Sequence, residues 1–249
     1  MAGTELKLIE LEFTESTNNY AMQLINDDKA QPGTAIVART QGGGKGQRGR
    51  KWIDMPGESL LMSIIVTPKQ PLTEQFVFSA SVAVAIANVL QNLLPDTPIA
   101  IKWPNDIIIN DKKAGGILIE NVFRGSVWTH SVIGLGMNVN QTSFSEMLPN
   151  AISLQLATGG AYDLKTLGRQ IGEHILASTL FPKSTQRIME SYNDRLYKNG
   201  ELQEFEGNGI FRGAKITGVH ANGMIELQFD GALHRETFHH GQINWVWPV

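Results

Sequence analysis

The chain changes its pattern at Asn199-Gly200. Beyond that pair, Gly207, Gly209, Gly213, Gly218, Asn222-Gly223, Asp230-Gly231 and Gly241 interrupt the sequence every few residues. Glycine and Asn/Asp-Gly pairs supply the positive-φ positions that tight hairpin turns demand. Only short strands fit between them. Asn222-Gly223, lying between apolar runs at 216–219 and 224–229, predicts one hairpin, and Asp230-Gly231 predicts a second. The tail therefore reads as a small antiparallel barrel of roughly 50 residues. A unit of that size is marginal alone and is expected to dock on the larger one. The expected units are residues 1–198 and 199–249.

The first unit mixes both periodicities. Strands are expected at 6–13, 35–40, 59–67, 99–103, 107–110, 116–122 and 127–139, and helices at 14–26, 73–94, 164–181 and 185–197. They do not alternate as steady βαβ units. That favours an α+β fold, a mixed sheet flanked by helices, over a doubly wound sheet. The most apolar helical stretch, 76–94, carries Ser79, Ser81, Asn88, Gln91 and Asn92. It reads as a buried helix and not as a membrane span. The first twelve residues scatter acidic side chains among apolar ones, unlike a signal peptide.

Two compositional facts narrow the chemistry. The sequence has no cysteine, which removes disulfides, thiolate metal sites and cysteine nucleophiles and fits a reducing cytoplasm. Its formal net charge is -3, which argues against a general attraction to nucleic acid or an anionic membrane.

Four segments carry chemistry. Residues 42–49 hold five glycines in eight positions, with Lys45, Arg48, Arg50 and Lys51 among or just after them. Successive backbone N–H groups there can cradle an anion. The spacing is neither a Walker A loop nor a dinucleotide fingerprint. A flexible basic surface loop and a loop that closes over a ligand are both compatible with it. Residues 101–107 (Ile-Lys-Trp-Pro-Asn-Asp-Ile) lead through a polar turn to Lys113-Ala114-Gly115-Gly116. Lys102 and Asp106 stand at the ends of strands that read as buried. Either a salt-bridged hairpin or a ligand approaching the two glycines accounts for the pattern. Ser16-Thr17-Asn18 is good helix N-cap chemistry. In 133–140, Gly134 and Gly136 imply close packing or a bulge, with Asn138 satisfying buried groups.

Taken in order, these segments resemble the biotin–protein ligase family. The shared pattern is a Ser-Thr-Asn triplet, a Gln (Gln41) ahead of a Gly/Arg loop ending in Lys-Trp, then Lys-Trp-Pro-Asn-Asp. A Lys-x-x-Gly-Ile-Leu segment and a Gly-x-Gly-x-Asn-x-Asn strand complete it. The match covers most of residues 6–140. It implies a class II synthetase-like catalytic fold with an SH3-like C-terminal barrel. It also implies that biotin is activated with ATP, accompanied by Mg²⁺, to biotinyl-AMP. The biotin then passes to a lysine of a biotin carboxyl carrier protein domain.

The resemblance assigns roles. Lys113 is the principal catalytic cation, bridging carboxylate and α-phosphate. Lys45 and Arg48 hold phosphates, together with the loop residues Gly44, Gly46 and Gln47. Ser16, Thr17, Asn18 and Gln41 bind biotin, and Gly116 lies against its ring. Asn105 and Asp106 face the anhydride; Asp106 either deprotonates the incoming lysine or holds Mg²⁺. Trp52 anchors the loop. Gly115, Lys102 and Asn138 complete the binding set, and no metal ligand is readable. The loop departs from the usual Gly-Arg-Gly-Arg. Lys45 keeps the charge without the bidentate fork of arginine, and Gln47 keeps hydrogen bonding without charge.

Ser16 falls within the first twenty residues, leaving no room for the helix-turn-helix of the family's regulatory members, so no nucleic-acid partner is expected. Rival readings are a lipoate or octanoate ligase or transferase of the same fold, a degenerate biotin-binding module, and a nucleic-acid-binding module using the basic loop. A cytoplasmic enzyme, monomeric or homodimeric, is the resulting expectation.

Overall fold

The computed structural model describes residues 5–207 and 209–247; the outer ends of the two expected units, at Met1 and Val249, lie outside the described residues. Seven strands form the larger sheet: β1 (Lys7–Thr14), β2 (Thr34–Gln41), β3 (Ser59–Val66), β4 (Ile99–Lys102), β5 (Asp106–Ile109), β6 (Lys112–Arg124) and β7 (Val127–Asn138). Their spatial order is β1-β2-β3-β7-β6-β5-β4. β1 and β2 run parallel, joined across the sheet by a helix, and every other pair is antiparallel. All eight residues of β3 are buried, as expected of a strand covered on both faces.

One face is covered by α1 (Thr17–Asn26), whose Ala21 and Ile25 pack on Ile36, Ile65 and Val132. The other face carries α2 (Gln75–Leu93), α4 (Leu164–Leu180) and α5 (Thr185–Asn193), with the short α3 (Leu154–Thr158) beside them. α2 buries Val77, Phe78, Val82, Ile86 and Leu90 against them. By length and hydropathy alone α2 could cross a membrane, but 67% of that window is buried inside the fold. Such burial marks a core helix.

The second sheet is antiparallel and five-stranded: β8 (Leu202–Gly207), β9 (Ile210–Val219), β10 (Ile225–Phe229), β11 (Glu236–Phe238) and β12 (Asn244–Trp245), in order β11-β10-β9-β8-β12. Asn222-Gly223 and Asp230-Gly231 lie in its two expected hairpins, with Gly223 at φ 86° and Gly231 at φ 74°. The fold is thus α+β, a mixed sheet flanked by helices with a small antiparallel sheet after it. The core is continuous between the two: Phe205, Ile216 and Leu227 belong to the same buried cluster as Ile101 and Tyr192.

The structure departs from the sequence reading in several places, each for a local reason. The first helix begins at Thr17, not 14, because Thr14 still pairs with Gln41 in the sheet and Ser16 caps the helix. β6 begins at Lys112, not 116, because Asn110 and Asp111 both adopt positive φ and turn the chain straight back onto β5. α5 stops at Asn193, not 197. Arg195 O and Tyr197 N leave the helix to bond Ile101 of β4. α3 was not anticipated; Ser153 caps it and Gly159, at φ 79°, ends it after five residues.

Candidate active site

The α1 side of the sheet holds a cavity of about 510 Å³. That is in the usual range for a small-molecule site. Its inner wall is the start of α1. Ser16 caps the helix, so Thr17 and Asn18 project where β3, β6 and β7 meet. Gln41 Oε1, at the end of β2, accepts from Thr17 N at 2.7 Å and Thr17 Oγ1 at 3.2 Å. Ser63 Oγ lies 2.7 Å from Thr17 Oγ1 and 2.6 Å from Asn18 Oδ1. Asn18 Nδ2 donates to Glu120 Oε2 at 2.6 Å and Leu118 O at 3.3 Å. Thr17, Asn18 and Ser63 are buried, so the network is rigid before any ligand arrives. Gly134 makes it possible: a Cβ there would overlap Asn18 Oδ1.

Lys113 reaches the cavity through a bulge. On an ordinary strand, residues 113 and 116 point to opposite faces. Here Ile107 opposes Gly115 while Ile108 opposes Lys113, so Ala114 is an extra residue. The bulge puts Lys113 on the face of Gly116, where a Cβ would lie 3.6 Å from both Lys113 Cε and Asp106 Oδ1. Lys113 Nζ then sits 2.7 Å from Asp106 Oδ1, with the lysine side chain 35% and the aspartate 18% exposed. Asn105 is held by two bonds to Ile117, Nδ2 to O at 2.6 Å and O from N at 3.0 Å.

The glycine-rich loop is an ordered hairpin over the cavity. Gly42 N and Gly43 N donate to Thr14 O and Glu15 O, which pins its base to the end of β1. Gly46 N donates to Arg50 O at 2.7 Å and Trp52 N to Gly44 O at 2.9 Å. Arg48, at the tip, has φ 57°, a strained position for a side-chain-bearing residue. Lys45 Nζ donates to Asn19 Oδ1 at 2.8 Å. Trp52 lays its ring over Gly136, where a Cβ would come within 2.6 Å of it. Gln47 Oε1 and Trp52 Nε1 are buried without a hydrogen-bond partner among the described residues.

The small sheet closes the remaining side. Lys102 Nζ lies 4.8 Å from the ring centre of Trp245 and 4.9 Å from that of Trp247. Burial lowers the Lys102 pKa to about 8; Asp106 opposes that shift, while Lys113 and Arg50 add to it. His240 stacks edge-on against Trp103 at 5.4 Å, and Arg48 lies against Gly241. Lys45, Arg48, Arg50, Lys51, Lys102 and Lys113 therefore line the cavity against one carboxylate, Asp106, among the described residues. A chain of net charge -3 thus places six of its 21 lysines and arginines around one cavity, suited to a polyphosphate.

Of the residues singled out from sequence, Ser16, Thr17, Asn18, Gln41, Lys45, Gly46, Gln47, Arg48, Trp52, Lys102, Asn105, Asp106, Lys113, Gly116 and Asn138 all line this cavity. Gly44 and Gly115 do not line it. A Cβ on Gly44 would come 2.8 Å from Trp52 O, and one on Gly115 would come 3.1 Å from Gly136 O; both serve close packing. Asn138 Nδ2 donates to Ile152 O, and Gln141 Nε2 donates to Asn138 Oδ1, so this side chain also ties down the loop after β7. Trp245, Trp247, His240 and the 147–151 segment line the cavity and were missed. No local pattern marks them, because docking of distant segments brings them there.

Residues 10–138 match the model of the Biotin/lipoate A/B protein ligase family, and the chain belongs to that family. The bifunctional ligase/repressor BirA of Bacillus spizizenii is 39% identical over 163 residues, 63% of this chain and 48% of that protein. The chain thus spans about half the length of that relative. The Salmonella typhimurium protein of the same name is 31% identical over 235 residues, 90% of this chain and 70% of its own. Among solved structures, biotin protein ligase from Aquifex aeolicus in complex with biotin and ATP has the same fold. Its TM-score is 0.77 at 24% identity, covering 97% of this chain and 99% of that one.

Proposed function

We propose that this chain is a biotin–protein ligase. It joins biotin to ATP as biotinyl-5′-AMP, releases pyrophosphate, and transfers the acyl group to a lysine of a biotin carboxyl carrier protein. One observation carries the reading. The bulge at Ala114 aims the Lys113 ammonium into the same cavity as Ser16–Asn18 and the glycine-rich loop, 2.7 Å from Asp106.

In the first step a carboxylate oxygen of biotin attacks the α-phosphorus and pyrophosphate leaves. Two anions must approach, and negative charge grows on the phosphate oxygens. Lys113 neutralises both partners, while Lys45, Arg48 and the loop N–H groups receive the departing phosphates. Thr17, Asn18 and Gln41 offer the mixed donors and acceptors that a ureido ring needs. Gly116 and Gly136 leave room for the Trp52 ring, which lies against both and forms an apolar wall of the cavity. The loop hairpin keeps water from the adenylate once it forms. Both nucleophiles belong to substrates, which agrees with a chain lacking cysteine.

The residues present do not form a protein-held Mg²⁺ site. No three Asp, Glu or His side chains are placed to hold a metal ion together among the described residues, and Asp106 is already paired with Lys113. The Mg²⁺ expected with ATP is assigned to the nucleotide's own phosphates, and no step is routed through it. Dependence on ATP fits a cytoplasmic setting.

ATP–pyrophosphate exchange tests the reading against its nearest rival. Exchange should depend on biotin and remain at background with lipoate or octanoate, and biotin should then label a carrier domain. Equal exchange with lipoate or octanoate would reassign the substrate. Biotin binding without exchange would leave only a binding module.

A further inference from the structure

A second cavity, of about 360 Å³, lies behind the first, between the start of α2, β6 and the loops of the small sheet. The two share Gln47, Pro104, Asn105, Ile117 and His240 as a common wall. We propose that the smaller cavity admits the carrier's lysine side chain, and that His240, on the shared wall, takes the proton from its ammonium. The inference rests on the ligase reading above.

The lining suits that occupant. A lysine is a four-carbon apolar stem with a charged head. Phe76, Pro104, Ile117 and Ile119 offer the stem an apolar wall, and Ser79 and Asn222 stand on the polar side. At the shared wall the head meets Asn105, His240 and Gln47, whose Oε1 is a buried acceptor with no partner among the described residues. The loop hairpin and Trp52 cover part of the large cavity. The smaller cavity offers a macromolecular substrate a second approach to the shared wall.

The chemistry needs a base. A lysine ammonium with a pKa of about 10.4 is almost wholly protonated at neutral pH and cannot attack an anhydride. Asp106 is engaged by Lys113 at 2.7 Å. His240 is held edge-on by Trp103, which fixes its ring at the wall. Desolvation, then Arg48 and Arg50, keep its imidazole below the ordinary pKa; Asp106 acts against them and Lys102 with them. It is therefore neutral at pH 7 and free to accept a proton. The ammonium gives one proton to His240. The amine nitrogen then bonds to the acyl carbon, the bond from that carbon to the phosphate oxygen breaks, and AMP leaves with the electron pair. The second amine proton departs to water.

Half-reactions separate this from a general defect. Enzyme preloaded with biotinyl-AMP is mixed with a biotin carboxyl carrier domain or with hydroxylamine, a small nucleophile that is neutral at pH 7. In His240→Gln, carrier labelling should fall about 10²-fold. Its labelling rate should also rise steadily with pH, following the lysine's own ionisation instead of levelling off above the imidazole's titration, while hydroxylamine consumes the adenylate at the wild-type rate. Ser79→Trp, which narrows the second cavity, should slow the carrier far more than hydroxylamine. Labelling by His240→Gln at the wild-type rate and pH profile would overturn the proposal. So would an equal loss with both nucleophiles, and so would unimpeded labelling by Ser79→Trp. Absence of biotin-dependent exchange in the wild type would instead defeat the ligase reading itself.

Discussion

At residue scale, the cavity depends on two positions where one atom group decides the geometry. Lys113→Ala removes the ammonium that the bulge at Ala114 delivers. Loss of a pre-aimed charge at a developing phosphate anion should lower exchange by about 10²–10³-fold. Because the pair with Asp106 is partly open to solvent, at 35% and 18% exposure, stability should change by less than about 1 kcal/mol. Exchange assays beside a urea titration check both halves, and near-wild-type exchange would remove Lys113 from the mechanism. Gly134→Ala works in the opposite sense. Its Cβ would overlap Asn18 Oδ1, so Asn18 must leave Ser63 and Glu120. Overpacking of this kind costs about 1–3 kcal/mol. Biotin affinity measured by calorimetry should weaken in parallel, and a variant with wild-type stability and affinity would show that the network is not rigid.

At the scale of elements, the loop hairpin should discriminate between its own glycines. Gly46 has room, with the nearest atom to a new Cβ being Arg50 O at 3.4 Å, whereas a Cβ on Gly44 would sit 2.8 Å from Trp52 O. Gly46→Ala should therefore retain biotinyl-AMP nearly as wild type. Gly44→Ala should push Trp52 off Gly136 and release the adenylate at least about tenfold faster, a loss of about 1.4 kcal/mol. Single-turnover trapping of released adenylate distinguishes them, and equal retention by both would exclude the hairpin as a lid. This loop also shows what was legible in advance. Its cations, the Lys-Trp-Pro-Asn-Asp corner and Lys113 are local signals, and they fall on the lining of the cavity. The long strands and α2 were equally plain, since apolar runs of that length have few alternatives. The bulge was not legible. Ala114 is unremarkable in sequence, and only its pairing with β5 shows that 113 and 116 share a face. Trp245 and His240 were hidden for a related reason: their meaning comes from Lys102 and Trp103, more than 130 residues away.

At the scale of the whole molecule, the two sheets are joined by polar contacts over a shared core, and that predicts how the chain unfolds. Asn193 ends α5 and bonds both backbone groups of Val219 in β9, Nδ2 to O at 3.1 Å and Oδ1 from N at 2.8 Å. Trp103 Nε1 donates to Gly223 O at 3.0 Å beside it. Beneath them, Ile216 and Ile225 share one cluster with Ile101 and Tyr192. A sheet of this size has too little core of its own to persist once undocked. Wild-type protein should therefore unfold in one transition, with tryptophan fluorescence and far-ultraviolet circular dichroism tracing the same urea curve. Asn193→Ala strands the N–H and C=O of Val219, which should cost about 1–3 kcal/mol. Because the small sheet carries Trp245 and Trp247 against Lys102, the variant should also lose ATP affinity although Asn193 is not among the cavity's lining residues. Coincident loss of stability and ATP affinity is the expected result. Two separate transitions in the wild type would mean that the sheets hold together independently, and the small one would then have no part in shaping the site.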